Sequence, residues 1–97
     1  MSQPYRGERE MPRYRSHKII HALKLENVRQ IPGRHTTVFK PADTQYAEIH
    51  ALDDEEVVKR CRALVTGDPG YYVVYPDGFR SWSPTQAFED GYSEVEA

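Results

Sequence analysis

Ninety-seven residues, 38% hydrophobic and 29% charged, are enough for one small domain around one modest core, and a single cysteine excludes a disulfide framework and a thiolate zinc cluster. No apolar run approaches the ~20 residues that span a bilayer, and the opening MSQPYRGERE has no apolar stretch of the secretory kind, so the expected home is a reducing cytoplasm without membrane contact. The net charge of −2 conceals an asymmetry, because residues 1–40 carry nine Lys or Arg against three Glu while residues 41–97 carry four against twelve acids.

Arg6, Arg9, Arg13 and Arg15 stand among prolines without apolar periodicity, which predicts a flexible basic tail over residues 1–15 ahead of a single domain at 16–95. From His17 to Ile31, the alternation of Ile19, Leu23 and Leu25 with Ile20, Ala22, Lys24 and Glu26 fits a strand, although Ile19, Ile20 and Leu23 also suit one helical face. Pro32-Gly33 marks a turn. The β-branched run Thr36-Thr37-Val38 with Phe39 reads as the returning strand, broken by Pro41. Tyr46 to Leu52 is a weaker strand, of edge type, with Ala47, Ile49 and Ala51 on one face.

Asp53 and Glu56 have the spacing of a helix cap, and Val57, Cys61, Leu64 and Val65 recur at helical intervals. A helix from about Asp53 to Val65 follows, with Lys59, Arg60 and Arg62 toward its end matching the helix dipole and Gly67 closing it. If Leu64 is core, Leu64→Ala costs about 2–5 kcal/mol.

The segment Gly70 to Tyr92, GYYVVYPDGFRSWSPTQAFEDGY, holds seven of the eleven aromatics. It reads as a strand from Tyr71 to Tyr75, a Pro76-Asp77-Gly78 turn, a return through Phe79 to Trp82, and a short helix. Ser83 is placed to cap that helix, Pro84 to begin it, Gln86 to reach back to the cap and Gly91 to close it in the left-handed region. The whole predicts an α+β domain: a small, mainly antiparallel sheet, one longer helix packed on it and a short C-terminal helix.

The sequence contains no catalytic motif. His17, His21, His35 and His50 are scattered without metal-ligand spacing, and the acidic run Asp53 to Glu56 lacks the alternation and glycine of a calcium loop. Ser81 and Ser83 lack glycine flanks, and the glycines lie singly at turns. Neither an enzyme nor a cofactor is expected. What remains is Tyr75, Arg80, Trp82, Thr85 and Gln86, a set of stacking faces and polar donors suited to a nucleobase, a phosphate or a partner's loop. The competing reading buries the aromatics as core. The charge asymmetry equally has two readings: a basic arm for phosphates with an acidic face for a basic protein, or two halves that attract each other or stay solvated.

The stretches PRYRSHKIIHALKLENV, KPADTQYA and GYYVVYPDGFRSWSPTQAFEDGY together resemble a widespread family of small proteins of tailed bacteriophages and prophages, over most of residues 12–92. The first eleven residues and the stretch from Arg60 to Asp68 depart from that pattern. The ending YVVYPDGFRSWSPTQAFEDGY is also similar, over about twenty residues, to the second family of Thoeris anti-defence proteins, nucleotide sponges whose N-terminal motif is missing here. These resemblances imply a phage-encoded accessory protein, homo-oligomeric in the host cytoplasm, that antagonises antiviral defence by non-covalent binding. It would sequester a cyclic or ADP-ribose-type nucleotide signal or block a defence protein. The alternative is a small nucleic-acid-binding regulator that uses the basic N-terminal half.

Overall fold

The computed structural model describes residues 11–15 and 19–94. In chain order these form β1 (Arg13–Arg15), β2 (Ile19–Ile31), β3 (Thr36–Pro41), β4 (Ile49–Leu52), α1 (Glu56–Arg60), α2 (Ala63–Thr66), β5 (Tyr71–Val74), β6 (Arg80–Ser83), α3 (Thr85–Gly91) and β7 (Ser93–Glu94). The architecture is α+β, and every strand pairing is antiparallel.

The thirteen-residue strand β2 organises the sheet. Its first half pairs with β1 and with β5. Past a register shift between Leu25 and Asn27 its second half pairs with β3. β4 extends the sheet from β3, β6 from β5 and β7 from β1.

All four residues of β5 are buried, which requires cover on both faces of the sheet. Strand alternation sends Tyr72 and Val74 into one apolar cluster with Leu23, Leu25, Phe39 and Trp82, closed by Val57 of α1 and Ala63 of α2. Tyr71 and Val73 go to the other cluster with Ile20 and Ala22, closed by Phe88 of α3. There Phe88 stacks between Tyr71 at 4.1 Å and Tyr92 at 4.8 Å, with Tyr14 edge-on at 4.9 Å. Met11 is buried in the first cluster, and the Ala22 amide donates to the Pro12 carbonyl at 2.9 Å. Residues 11–15 therefore belong to the folded domain, where the sequence suggested a tail; residues 1–10 and the motif Ser16-His17-Lys18 lie outside the described residues.

The long helix expected over Asp53 to Val65 is two short ones instead. Asp53 does not cap, because its carboxylate accepts from the Thr37 hydroxyl at 2.8 Å and its amide donates to the His35 carbonyl at 2.9 Å. The chain turns first: the Glu55 amide donates to the Leu52 carbonyl and the Glu55 carboxylate accepts from the Leu52 amide, both at 2.9 Å. Because Asp53 and, by alternation, Ala51 bond toward β3, Leu52 aims its main chain away from the sheet, and Glu55 takes both of those outward groups. At Cys61 the backbone goes extended, φ −74° and ψ 128°, and ends α1. The restart shifts the helical phase. Ala63 points inward, whereas Leu64 and Val65 are 56% and 77% exposed, so of the periodic face read from the sequence Val57 is buried and Cys61 packs against the core, while Leu64 and Val65 do neither. Gly67, at φ +80°, closes α2 as expected.

The cap of α3 also differs. Neither Ser83 nor Pro84 supplies it. Asp68, seventeen residues away, accepts from the Thr85 amide at 2.9 Å, from the Thr85 hydroxyl at 2.6 Å and from the Gly70 amide at 3.1 Å. Gln86 bonds forward to Asp90 at 3.0 Å. Gly91 is the last helical residue, and extended Tyr92 ends the helix, so no left-handed glycine is needed there.

Candidate functional site

The aromatic hairpin is built as its turn residues dictate. The Tyr75 amide donates to the Phe79 carbonyl at 2.9 Å, the Gly78 amide to the Tyr75 carbonyl at 2.8 Å, and the Asp77 carboxylate accepts from the Phe79 amide at 3.0 Å. Gly78 sits at φ +91°, where a side chain would strain the turn. Tyr75 and Phe79 are thereby held across from each other, their ring centroids 6.1 Å apart.

The five residues singled out from the sequence do not meet on one surface. Trp82 is core, 5% exposed, with its indole nitrogen donating to the Pro69 carbonyl at 2.7 Å. Arg80 shares its parity on β6 and stands exposed on the same side of the sheet. Tyr75, half-buried, packs against the opposite cluster below α3. Thr85 is held by Asp68 and Gln86 by Asp90, both on α3.

What the fold does bring together is an open cleft of about 580 Å³ at the hairpin, lined by Arg60, Tyr75, Pro76, Asp77, Phe79 and Ser81, a volume within the usual range for small-ligand sites. The Arg60 guanidinium carbon lies 5.3 Å from the Phe79 ring centroid, a cation–π geometry. Its Nε donates to the Glu56 carboxylate at 3.0 Å. Burial, with a smaller push from Tyr92, raises the Tyr75 phenol, and Arg60 acts in the opposite sense. All four cations of residues 41–97, namely Lys59, Arg60, Arg62 and Arg80, lie at the end of α1, just beyond it, or at the start of β6. The acidic half thus gathers its positive charge in the two elements that flank the cleft.

Of the cleft residues only Tyr75 was among the sequence candidates. The Tyr-Pro-Asp-Gly-Phe turn carried a signal for Phe79, since its geometry sets the two rings opposite each other. Arg60 carried none, because its approach depends on how α1 packs against β6.

Elsewhere several charged groups are engaged structurally. Lys24 pairs with Glu89 at 3.4 Å and Arg29 with Glu48 at 3.1 Å, both joining the basic half to the acidic half, and Lys40 pairs with Glu26 at 3.6 Å. These exposed pairs contribute little stability. Glu89 also accepts from the Tyr71 hydroxyl at 2.7 Å; burial first and this bond second raise the Tyr71 phenol, while the same bond lowers the Glu89 carboxyl. Among the described residues no three His, Cys, Asp or Glu side chains converge as a metal site, and no helix is long and apolar enough to cross a membrane. Comparison with family models, characterised proteins and solved structures finds no match to the chain.

Proposed function

We propose that this is a non-catalytic, phage-encoded accessory protein that antagonises host antiviral defence by binding, with the hairpin cleft as its recognition surface. The observation that carries the reading is the cleft itself, in which the Arg60 guanidinium lies over Phe79, and Tyr75 and Ser81 complete the lining. Aromatic planes beside a cation suit a nucleobase and its phosphate. This supports sequestration of a nucleotide signal in the host cytoplasm ahead of blockade of a defence protein. The sequence resemblance points the same way. Tyr75 keeps a part in this reading, Arg80 does not line the cleft, and Trp82, Thr85 and Gln86 serve it by holding the hairpin and α3 in place. The nucleic-acid alternative would use the basic arm from Arg6 to Lys24, of which residues 6–10 and 16–18 lie outside the described residues and Lys24 pairs with Glu89 at the surface.

Calorimetry with cyclic dinucleotides and ADP-ribose derivatives tests the proposal, on the wild type and on Arg60→Ala. Binding to the wild type that is lost in an intact Arg60→Ala supports it. If nothing binds the wild type and the protein gives phage no protection in infection of defence-expressing cells, the sponge reading fails.

A further inference from the structure

Arg60 is the cleft's guanidinium, and its own carboxylate partner sits one helical turn back. The simplest electrostatic view makes Glu56 a competitor that neutralises Arg60 and weakens anion binding. The geometry argues otherwise. Glu56 engages Nε alone, at 3.0 Å, while the guanidinium carbon stays 5.3 Å over the Phe79 ring. The two terminal nitrogens of Arg60 make no hydrogen bond among the described residues. A guanidinium fixed through Nε and an aromatic face keeps its terminal amino groups available as donors, and paired N–H donors in a fixed fork match phosphate oxygens. The same pair is an i,i+4 contact at the surface, with the two side chains 54% and 49% exposed, where direct Coulomb neutralisation is screened.

We propose that Glu56 is a positioning residue for anion recognition: it holds Arg60 over Phe79 so that the cleft accepts a sugar-phosphate monoester bearing a planar base, a nucleoside monophosphate in chemical class. The inference rests on the cleft being the binding site. The planar ring belongs against Tyr75, Pro76 and Phe79, which supply the apolar wall, and the phosphate belongs at the terminal nitrogens of Arg60.

The two views of Glu56 predict opposite signs. Adenosine 5′-monophosphate, adenosine and inorganic phosphate are titrated against the wild type, Glu56→Ala and Glu56→Gln, with circular dichroism as the check on folding. Positioning predicts that Glu56→Ala weakens binding of the monophosphate about twofold although it removes a negative charge. It also predicts that Glu56→Gln, whose amide oxygen still accepts from Nε, binds as the wild type does or more tightly, and that adenosine is indifferent to both changes. Tighter binding by Glu56→Ala, or equal weakening by Ala and Gln, overturns the positioning role while leaving the cleft as a site. Absence of monophosphate binding to the wild type overturns this inference. If that absence extends to the cyclic dinucleotides and ADP-ribose derivatives, the nucleotide reading of the cleft falls with it.

Discussion

Asp68→Ala removes a cap that comes from outside the helix it serves. The lost carboxylate accepts three bonds, from the Thr85 amide, the Thr85 hydroxyl and the Gly70 amide, and so ties the start of α3 to the loop before β5. Removing an N-cap costs about 0.5–2 kcal/mol, and bonds to a charged acceptor exceed neutral ones. The site is partly exposed, so water replaces some of them, and a net loss of about 2 kcal/mol follows. For a domain of this size each kcal/mol shifts Tm by roughly 4–8 °C, so thermal melts followed by circular dichroism should fall by about 8–16 °C. Asp68→Asn keeps one acceptor oxygen and should lie between. The acid limb supplies a second reading. The Thr85 hydroxyl bond, against a smaller opposing effect of burial, holds the Asp68 carboxyl below its ordinary value. A carboxyl depressed in the folded state gives stability that is present above its unfolded pKa of about 4 and is lost as pH falls through the folded value. Stability of the wild type should therefore decline below about pH 4 more steeply than that of Asp68→Ala. A Tm change of under ~2 °C, or identical acid limbs, would refute the assignment of Asp68 as the cap.

Gly70→Ala should cost about 2–4 kcal/mol in urea denaturation, since a Cβ there meets the Ser83 carbonyl and ring carbons of Trp82 2.5 Å away, on a backbone at φ +73°; a cost within ~0.5 kcal/mol would mean that the loop relaxes freely. Leu64→Ala should change stability by no more than ~0.5 kcal/mol, whereas Val57→Ala, at 1% exposure, should cost about 2 kcal/mol, and a Leu64→Ala cost of about 2 kcal/mol or more would restore the single-helix reading. Burial pushes the Cys61 thiol up, so alkylation by iodoacetamide at pH 8 should run slower than for an unfolded control and equalise in denaturant.

Local chemistry wrote much of this fold plainly into the chain. The alternation along Ile20 to Leu25, the Pro32-Gly33 and Pro76-Asp77-Gly78 turns and the run Tyr71 to Val74 are short-range patterns, and each became the element it suggested. The failures are long-range. Asp53 looked like a cap until Thr37, sixteen residues earlier, supplied a donor, and Ser83 looked like one until Asp68 took the role. With the first cap gone, the phase of the following helix was open, and packing of Val57 and Ala63 against the sheet decided it. The candidate site was half legible for the same reason: one hairpin sets Tyr75 against Phe79, but Arg60 arrives from another element.

Glu55 has a consequence that thermodynamic stability alone does not measure. β4 is an outer strand, with Leu52 56% exposed, and an unpaired outer strand offers a neighbouring molecule a template for intermolecular pairing. The Glu55 carboxylate occupies the outward amide of Leu52 and the Glu55 backbone amide its carbonyl, so an incoming strand finds nothing to bond at that residue until the Leu52 amide is freed by replacement of the glutamate. Its replacement is thus expected to matter in a crowded solution more than in a dilute one: the monomer would melt nearly as before, while concentrated samples would become turbid along this edge. Glu55, whose charge also acts on the buried Tyr72, is then constrained by the company of other copies of the protein as well.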